Sequence, residues 1–402
     1  MATIQPFKPI RPNPIYADQL VFTTPQAESV AGDYTHNGGL KPLKTLLETG
    51  ARLRPETPEG QEMAYLDIKE TLQNLLGEDR LWREETPGIY VYEVEHPTYS
   101  QTGIWALTAT EDYMDLTIKV HELTFADSVR RLKNYRANTR LEGNPVLLTY
   151  PPDEKINSII AISKSVPPET VYSNAQGRHR LWKISDPETL QKLTQAFARL
   201  PDSYLADGHH RLESACLLAK EQRQQGLPSC DYISSLYLAS DQLRIEGYHR
   251  VVVPQEPVNR ERLYRRLLEN FHIHESTGNH HVLPGEAGHL GMQLDGQWYH
   301  LLPKHPNDSF DAELLQEKIL APVFDINDPK TDSRLKCAGG EKALEEMDVI
   351  LRAQPQAIAF TLCPLTVEQL ISAANARQIL PPKSTWIVPK VPYGLLIYQH
   401  NI

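Results

Sequence analysis

Tyr204-Leu205-Ala206-Asp207-Gly208-His209-His210-Arg211-Leu212 is the stretch that decides how this chain reads. Tyr204 to Ala206 reads as a short strand and Asp207-Gly208 as a turn. From His210 to about Gln224 apolar residues return at helical spacing, with Leu212, Ala215, Cys216 and Ala219 on the inner face. Leu217 is read as a further core position of that helix. A helix start offers unpaired N–H groups and the positive end of the dipole; Gly208 lets a backbone approach closely, and His209, His210 and Arg211 add donors. That combination suits an anionic ligand, a phosphate above all. The plainer alternative makes Asp207 a helix N-cap and the histidines solvent-facing, which explains Asp and Gly but gives three adjacent cationic or titratable groups no role. Neighbouring histidines on a helix point about 100° apart, so a metal held by His209 and His210 is the weaker reading and no metal ligand is assigned.

Outward from this point, helices are expected over Glu62 to Leu76, Pro187 to Leu200, Asn259 to Phe271, Ala312 to Leu320, Lys342 to Leu351 and Thr366 to Ala376. Gly88 to Glu95 and Gly103 to Thr108 read as an antiparallel pair, Val146 to Tyr150 and Arg180 to Ile184 as strands. Asp295-Gly296 reads as a hairpin turn between Gly291–Leu294 and Gln297–Leu302. Helices and strands in mixed order, with hairpins, give an α+β chain. Val251-Val252-Val253 running into Pro254 suits a boundary, so the expected domains are residues 1–253 and an α+β C-terminal lobe, 254–402.

The 402 residues carry 41 Lys plus Arg against 51 Asp plus Glu, a net charge of -10 that weakens the case for a nucleic-acid backbone as partner. No apolar run reaches the roughly 18 residues a membrane span requires. The N-terminus lacks a basic flank before an apolar core, so a cytoplasmic location is expected. Four cysteines without a CxxC pair read as buried thiols.

Ile118-Lys119-Val120-His121-Glu122-Leu123-Thr124, Arg180-Leu181-Trp182-Lys183-Ile184, Ala206 to Arg211, Asp332 to Gly340 and Pro381-Pro382-Lys383-Ser384-Thr385-Trp386, in that order, resemble the bacterial domain of unknown function 1015 family over nearly the whole chain. Within it, Ala206 to Arg211 is similar to the phosphate-binding GxHR signature of the ParB and sulfiredoxin superfamily, which includes a free serine kinase. The resemblance implies a ParB/sulfiredoxin-like mixed α/β core in residues 1–253, and ATP or ADP as ligand. Two stretches depart from the family pattern: Thr24 to Glu28 stands where relatives carry Pro-Tyr-Asp-Val, and Asn138 to Pro145 is one residue longer.

Lys119, His121, Glu122 and Arg131, read as one strand and the helix after it, supply cations, an imidazole and a carboxylate, the groups that phosphoryl transfer uses. Asp332 and Arg334 before Gly339-Gly340 read either as a second anion loop or as a simple turn, and Lys383 as a further phosphate contact or an anchor. The expected function is therefore transfer of a phosphoryl group between a nucleotide or phosphometabolite and a small hydroxyl compound such as serine, with Mg2+. Glu122 is the base, Asp207 and His210 complete the catalytic set, and Gly208, His209, Arg211, Lys119, His121 and Arg131 hold phosphate. Run in reverse it is a phosphatase. The alternative is a nucleotide-sensing regulatory protein without chemistry.

Overall fold

The quoted stretch folds as its sequence directs: a strand spans Ser203–Asp207 and a helix His209–Gln224. The structure is a computed structural model that describes residues 2–21, 40–49, 57–174, 176–278, 280–305, 309–381 and 383–400; Thr24 to Glu28 lies outside the described residues. Contacts divide the chain into two units. The first comprises Met1–Val120, Thr124–Leu243 and Pro389–Ile402; the second comprises His121–Leu123 and Arg244–Val388.

The first unit is built on a mixed sheet of nine strands among the described residues. In chain order they are β1 (Ile4–Gln5), β2 (Ile89–His96), β3 (Tyr99–Ala109), β4 (Ile118–Lys119), β5 (Val146–Tyr150), β6 (Thr170–Asn174), β7 (Gly177–Ile184), β8 (Ser203–Asp207) and β9 (Tyr232–Ala239). Their order across the sheet is β4-β8-β5-β9-β3-β2-β7-β6, with β1 against β3; β8 runs parallel to β4 and β9 parallel to β5, and the other pairs are antiparallel. The longer helices described in this unit are α1 (Pro58–Gly77), α2 (Ala126–Thr139), α3 (Glu154–Ser163), α4 (Pro187–Phe197) and α5 (His209–Gln224). Helix α4 starts where its sequence says it should. Asp186 accepts from the Thr189 N–H at 2.8 Å, Pro187 fills the first turn, and Leu193, Ala196 and Phe197 go into the core. There Phe197 meets Tyr150 and Tyr237 at ring-centroid distances of 5.4 and 4.9 Å.

Helix α5 buries Leu212, Ala215, Cys216 and Ala219, but Leu217 is 37% exposed, so it is not a core position. The residue sits about 100° from that face, and its neighbour Leu218 is the one turned inward.

The second unit is built on an antiparallel sheet of six strands among the described residues: β10 (Tyr248–Val252), β11 (Phe271–Glu275), β12 (Leu290–Leu294), β13 (Gln297–Pro303), β14 (Leu335–Gly339) and β15 (Ile358–Leu362), in the order β11-β13-β12-β15-β10-β14. The β12–β13 hairpin turns on Asp295 and Gly296, both at positive φ (52° and 84°), as an Asp-Gly turn requires. Its helices include α6 (Arg260–Asn270), α7 (Asp311–Leu315), α8 (Ala343–Ala353) and α9 (Val367–Asn375). Asn259 caps α6 through the Arg262 N–H, and Thr366 with Gln369 forms a capping box on α9. The expected helix Ala312 to Leu320 begins one residue earlier and changes to π geometry over Gln316–Leu320. The four cysteines are free thiols. No helix among the described residues is long and apolar enough to cross a membrane.

Candidate functional site

Gly208 occupies the N-cap of α5 with φ 101° and ψ 29°, a backbone region that side-chain-bearing residues rarely adopt. Asp207 is therefore not the cap. No side chain caps this helix, and the first backbone bond to close is from the Leu212 N–H to the Gly208 carbonyl at 3.0 Å. The N–H groups of His210 and Arg211 meet no acceptor among the described residues. A helix of 16 residues thus starts with open donors at the positive end of its dipole.

Asp207 uses its carboxylate differently. Its Oδ2 accepts from Nη2 of Arg211 at 2.5 Å, and Nη1 of Arg211 donates to the Pro145 carbonyl. This clip folds the guanidinium back over Gly208: a Cβ built on that glycine would lie 2.9 Å from Nη2 and 3.0 Å from Cζ. Packing around the Asp207 carboxyl opposes its ionisation, but Lys390, Arg211 and His209 more than offset this and hold its pKa below the ordinary value. The side chain is 40% exposed, so an ionised carboxylate faces the opening of the loop.

His209 points inward and is buried, whereas His210 stays half-open on the α2 side. Its Nε2 accepts from the Phe125 N–H at 2.9 Å, and its ring stacks on Phe125 at 5.3 Å and 17°. Accepting there places any ring proton on Nδ1. Partial burial lowers the His210 pKa, with Glu213 opposing and the cations of Arg131 and Arg211 adding to the fall. The neutral imidazole is thereby favoured, and its Nδ1–H is the side left to donate. Arg131 is exposed on α2, near enough to act on that ring.

Behind the loop lies a polar network that the sequence reading missed. Arg136 of α2 is buried and donates through Nε to Glu142 Oε1 at 2.6 Å, through Nη1 to Ser214 Oγ at 2.9 Å and through Nη2 to the Arg211 carbonyl at 3.4 Å. Glu142 also accepts from the Ser234 N–H at 2.8 Å and shares a 3.0 Å hydrogen bond with His400. Burial alone would raise the pKa of Glu142; Arg136 and His400 override it and bring it down to about 2. The first turn of α5 is thereby tied to α2 and to the departing stretch Asn138 to Pro145, which supplies both Glu142 and the Pro145 carbonyl.

Of the other expected residues, Lys119 ends β4 and pairs with Asp202 at 2.7 Å, its amine 5.8 Å from the Tyr204 ring. The strand stops there, so Lys119, His121 and Glu122 do not share one strand: His121 and Glu122 fall in the second unit. There the His121 carbonyl accepts from the Leu380 N–H at 2.8 Å. Asp332, Arg334 and Lys383 belong to the second unit as well. Arg334 binds Asp332 through Nε at 2.9 Å and Nη2 at 2.5 Å, and its Nη1 donates to the Phe324 carbonyl at 2.9 Å, closing a loop on itself. Gly339 is a strand residue whose missing side chain makes room for Trp386, whose indole lies 2.5 Å from an ideal Cβ there; Gly340, at φ 87°, turns the chain toward α8. Lys383 lies 5.9 Å over the Tyr248 ring.

Among solved structures, the chain is similar to a free serine kinase variant in complex with ADP, at 12% identity and a TM-score of 0.40, covering 73% of this chain and 91% of that one. It is similar at the same identity and coverage of this chain to a conserved hypothetical protein from Pyrococcus furiosus, with a TM-score of 0.37 and 94% of that chain. SbnI with a C-terminal truncation from Staphylococcus aureus matches with a TM-score of 0.36, 12% identity and 73% of this chain against 82% of that one. No curated protein matches. The family resemblance read from the sequence agrees with the family model described as protein of unknown function (DUF1015), which matches residues 4–327 and stops short of Asp332 to Gly340 and Pro381 to Trp386, and the chain belongs to that family.

Proposed function

We propose that the first unit binds the phosphate of a nucleotide or phosphometabolite at the start of α5 and that the protein transfers a phosphoryl group to or from a small hydroxyl compound. The observation that carries this reading is the uncapped helix start at Gly208, with open His210 and Arg211 N–H groups beside a cationic clip and an ionised aspartate. The Asp207 carboxylate, next to this start, is turned to Arg211 and caps none of these N–H groups. In this reading the backbone N–H groups and Arg211 take phosphate oxygens, Arg131 adds positive field, and His210 donates a hydrogen bond to the reacting group from Nδ1–H. Mg2+ favours carboxylate and phosphate oxygens; Asp207 fits it, because Arg211 uses only Oδ2. Glu122, expected from its sequence motif to be the base, falls in the second unit, and its role is proposed from that motif alone.

Two expected results follow from the proposed roles. Arg211→Ala should weaken ADP binding in calorimetry by about 1.5–3 kcal/mol, roughly ten- to a hundredfold, as for other charge-assisted contacts. Arg211→Lys should not restore it, because an ammonium cannot hold Asp207 and the Pro145 carbonyl in one plane. Wild-type affinity in Arg211→Ala removes this residue from the site. Glu122→Gln should leave ADP affinity unchanged and abolish release of phosphate or phospho-product from ATP or phosphoserine, since an amide cannot accept the proton. Undiminished turnover removes Glu122 from the mechanism; ADP binding by a wild-type protein that turns over none of these compounds favours a nucleotide sensor.

A further inference from the structure

The second unit holds a cavity of about 220 Å³ at the junction of α7, the end of β15 and the start of α9. Phe310, Asp311, Tyr248, Leu362, Cys363 and Gln369 line it. Asp311 is 8% exposed. Its Oδ1 accepts from the Gly288 N–H at 2.6 Å and its Oδ2 from the Cys363 N–H at 2.9 Å. Among the described residues no lysine or arginine forms an ion pair with it. The nearest positive influence is His289, whose imidazole lies 3.7 Å from the Glu286 carboxylate.

A buried carboxylate costs several kcal/mol unless a cation or a full set of donors offsets it. Two backbone N–H groups fix the position of the Asp311 oxygens and leave each with a lone pair to spare. The remaining walls combine aromatic and aliphatic surface from Tyr248, Phe310 and Leu362 with the Gln369 amide. A cavity of about 150 Å³ accommodates benzene, so this one takes about nine non-hydrogen atoms.

We infer that this cavity is a binding site for a small organic ammonium compound, with the ammonium on Asp311 and a short apolar body against Tyr248, Phe310 and Leu362. The site stands apart from the phosphate reading of the first unit, and neither depends on the other.

The test uses the full chain and two probes of the right size, 2-phenylethylamine and its neutral counterpart 2-phenylethanol. By calorimetry at pH 7, wild type should bind the amine saturably and at least about tenfold more tightly than the alcohol, the margin of one charge-assisted contact. The amine should also slow iodoacetamide labelling of Cys363, read by peptide mass spectrometry. Asp311→Asn should erase the preference for the amine. Ala287→Phe, at an exposed position on the cavity wall, should block both probes while leaving the melting temperature and ADP affinity at their wild-type values, which keeps the test valid where Asp311→Asn fails to fold. No saturable amine binding, equal affinity for amine and alcohol, unprotected Cys363, or unchanged amine binding in Ala287→Phe would each overturn the inference and leave Asp311 a tie between two loops.

Discussion

Arg136→Ala should unfold the first unit more easily than any other single change named here, by about 3–5 kcal/mol, because it strands Glu142 as a buried charge without its counter-ion. The guanidinium also holds the Arg211 carbonyl and the Ser214 hydroxyl, so the first turn of α5 loses its anchor to α2 in the same step. Removing both charges with apolar side chains, Arg136→Met with Glu142→Leu, should cost less than the single change, since neither group is then left uncompensated. The acid limb of the stability curve gives an independent check. The folded pKa of Glu142, about 2, lies below its ordinary 4.5, so its contribution is fully present above about pH 4.5 and is lost as pH falls toward 2. Arg136→Ala should flatten that limb. Calorimetric unfolding between pH 2 and 7 measures both effects; a change under about 1 kcal/mol would mean that water reaches the pair.

Gly208→Val should abolish ADP binding, with affinity down at least about a hundredfold, or about 2.7 kcal/mol. Valine is strongly disfavoured at φ 101°, and its Cβ would meet the Arg211 guanidinium within 3.0 Å, so the helix start and the clip shift together. Stability should fall less than in Leu193→Ala, a truncation in the core of α4 where a loss of about 2–5 kcal/mol is expected. ADP titrations alongside thermal melts separate the two outcomes. Unchanged affinity would end the phosphate reading, and the glycine would then serve only the turn.

The site loop was legible because its signals are local. A glycine at a turn, a short apolar run before it and helical spacing after it need no knowledge of the rest of the chain, and Asp186, Asn259 and Thr366 announce their helices in the same way. Strand β9 was not legible. Its Ser234 and Ser235 are fully buried in the middle of the sheet, Ser234 accepting from the Trp105 indole at 2.8 Å, so the alternation that marks a half-buried strand is absent. The role of Glu142 was not legible either, because its partners come from α2, β9 and a residue 258 positions away. The clip between Asp207 and Arg211 was not legible for the same reason: nothing adjacent in sequence shows that the Pro145 carbonyl, 66 residues earlier, completes it.

Pro389–Ile402 belongs to the first unit although 145 residues of the second, Arg244–Val388, separate it from the rest. Tyr398–Gln399 pairs with Leu141–Glu142, Tyr393 packs where Gly143 has no side chain, and His400 reaches Glu142. During synthesis these residues leave the ribosome after the whole second unit has emerged, so the earlier-made part of the chain is the later one to mature. Until then Glu142 lacks one of its hydrogen-bond partners and the floor beneath the Gly208 turn is unfinished. Removing Tyr393 to His400 should therefore loosen the first unit before the second.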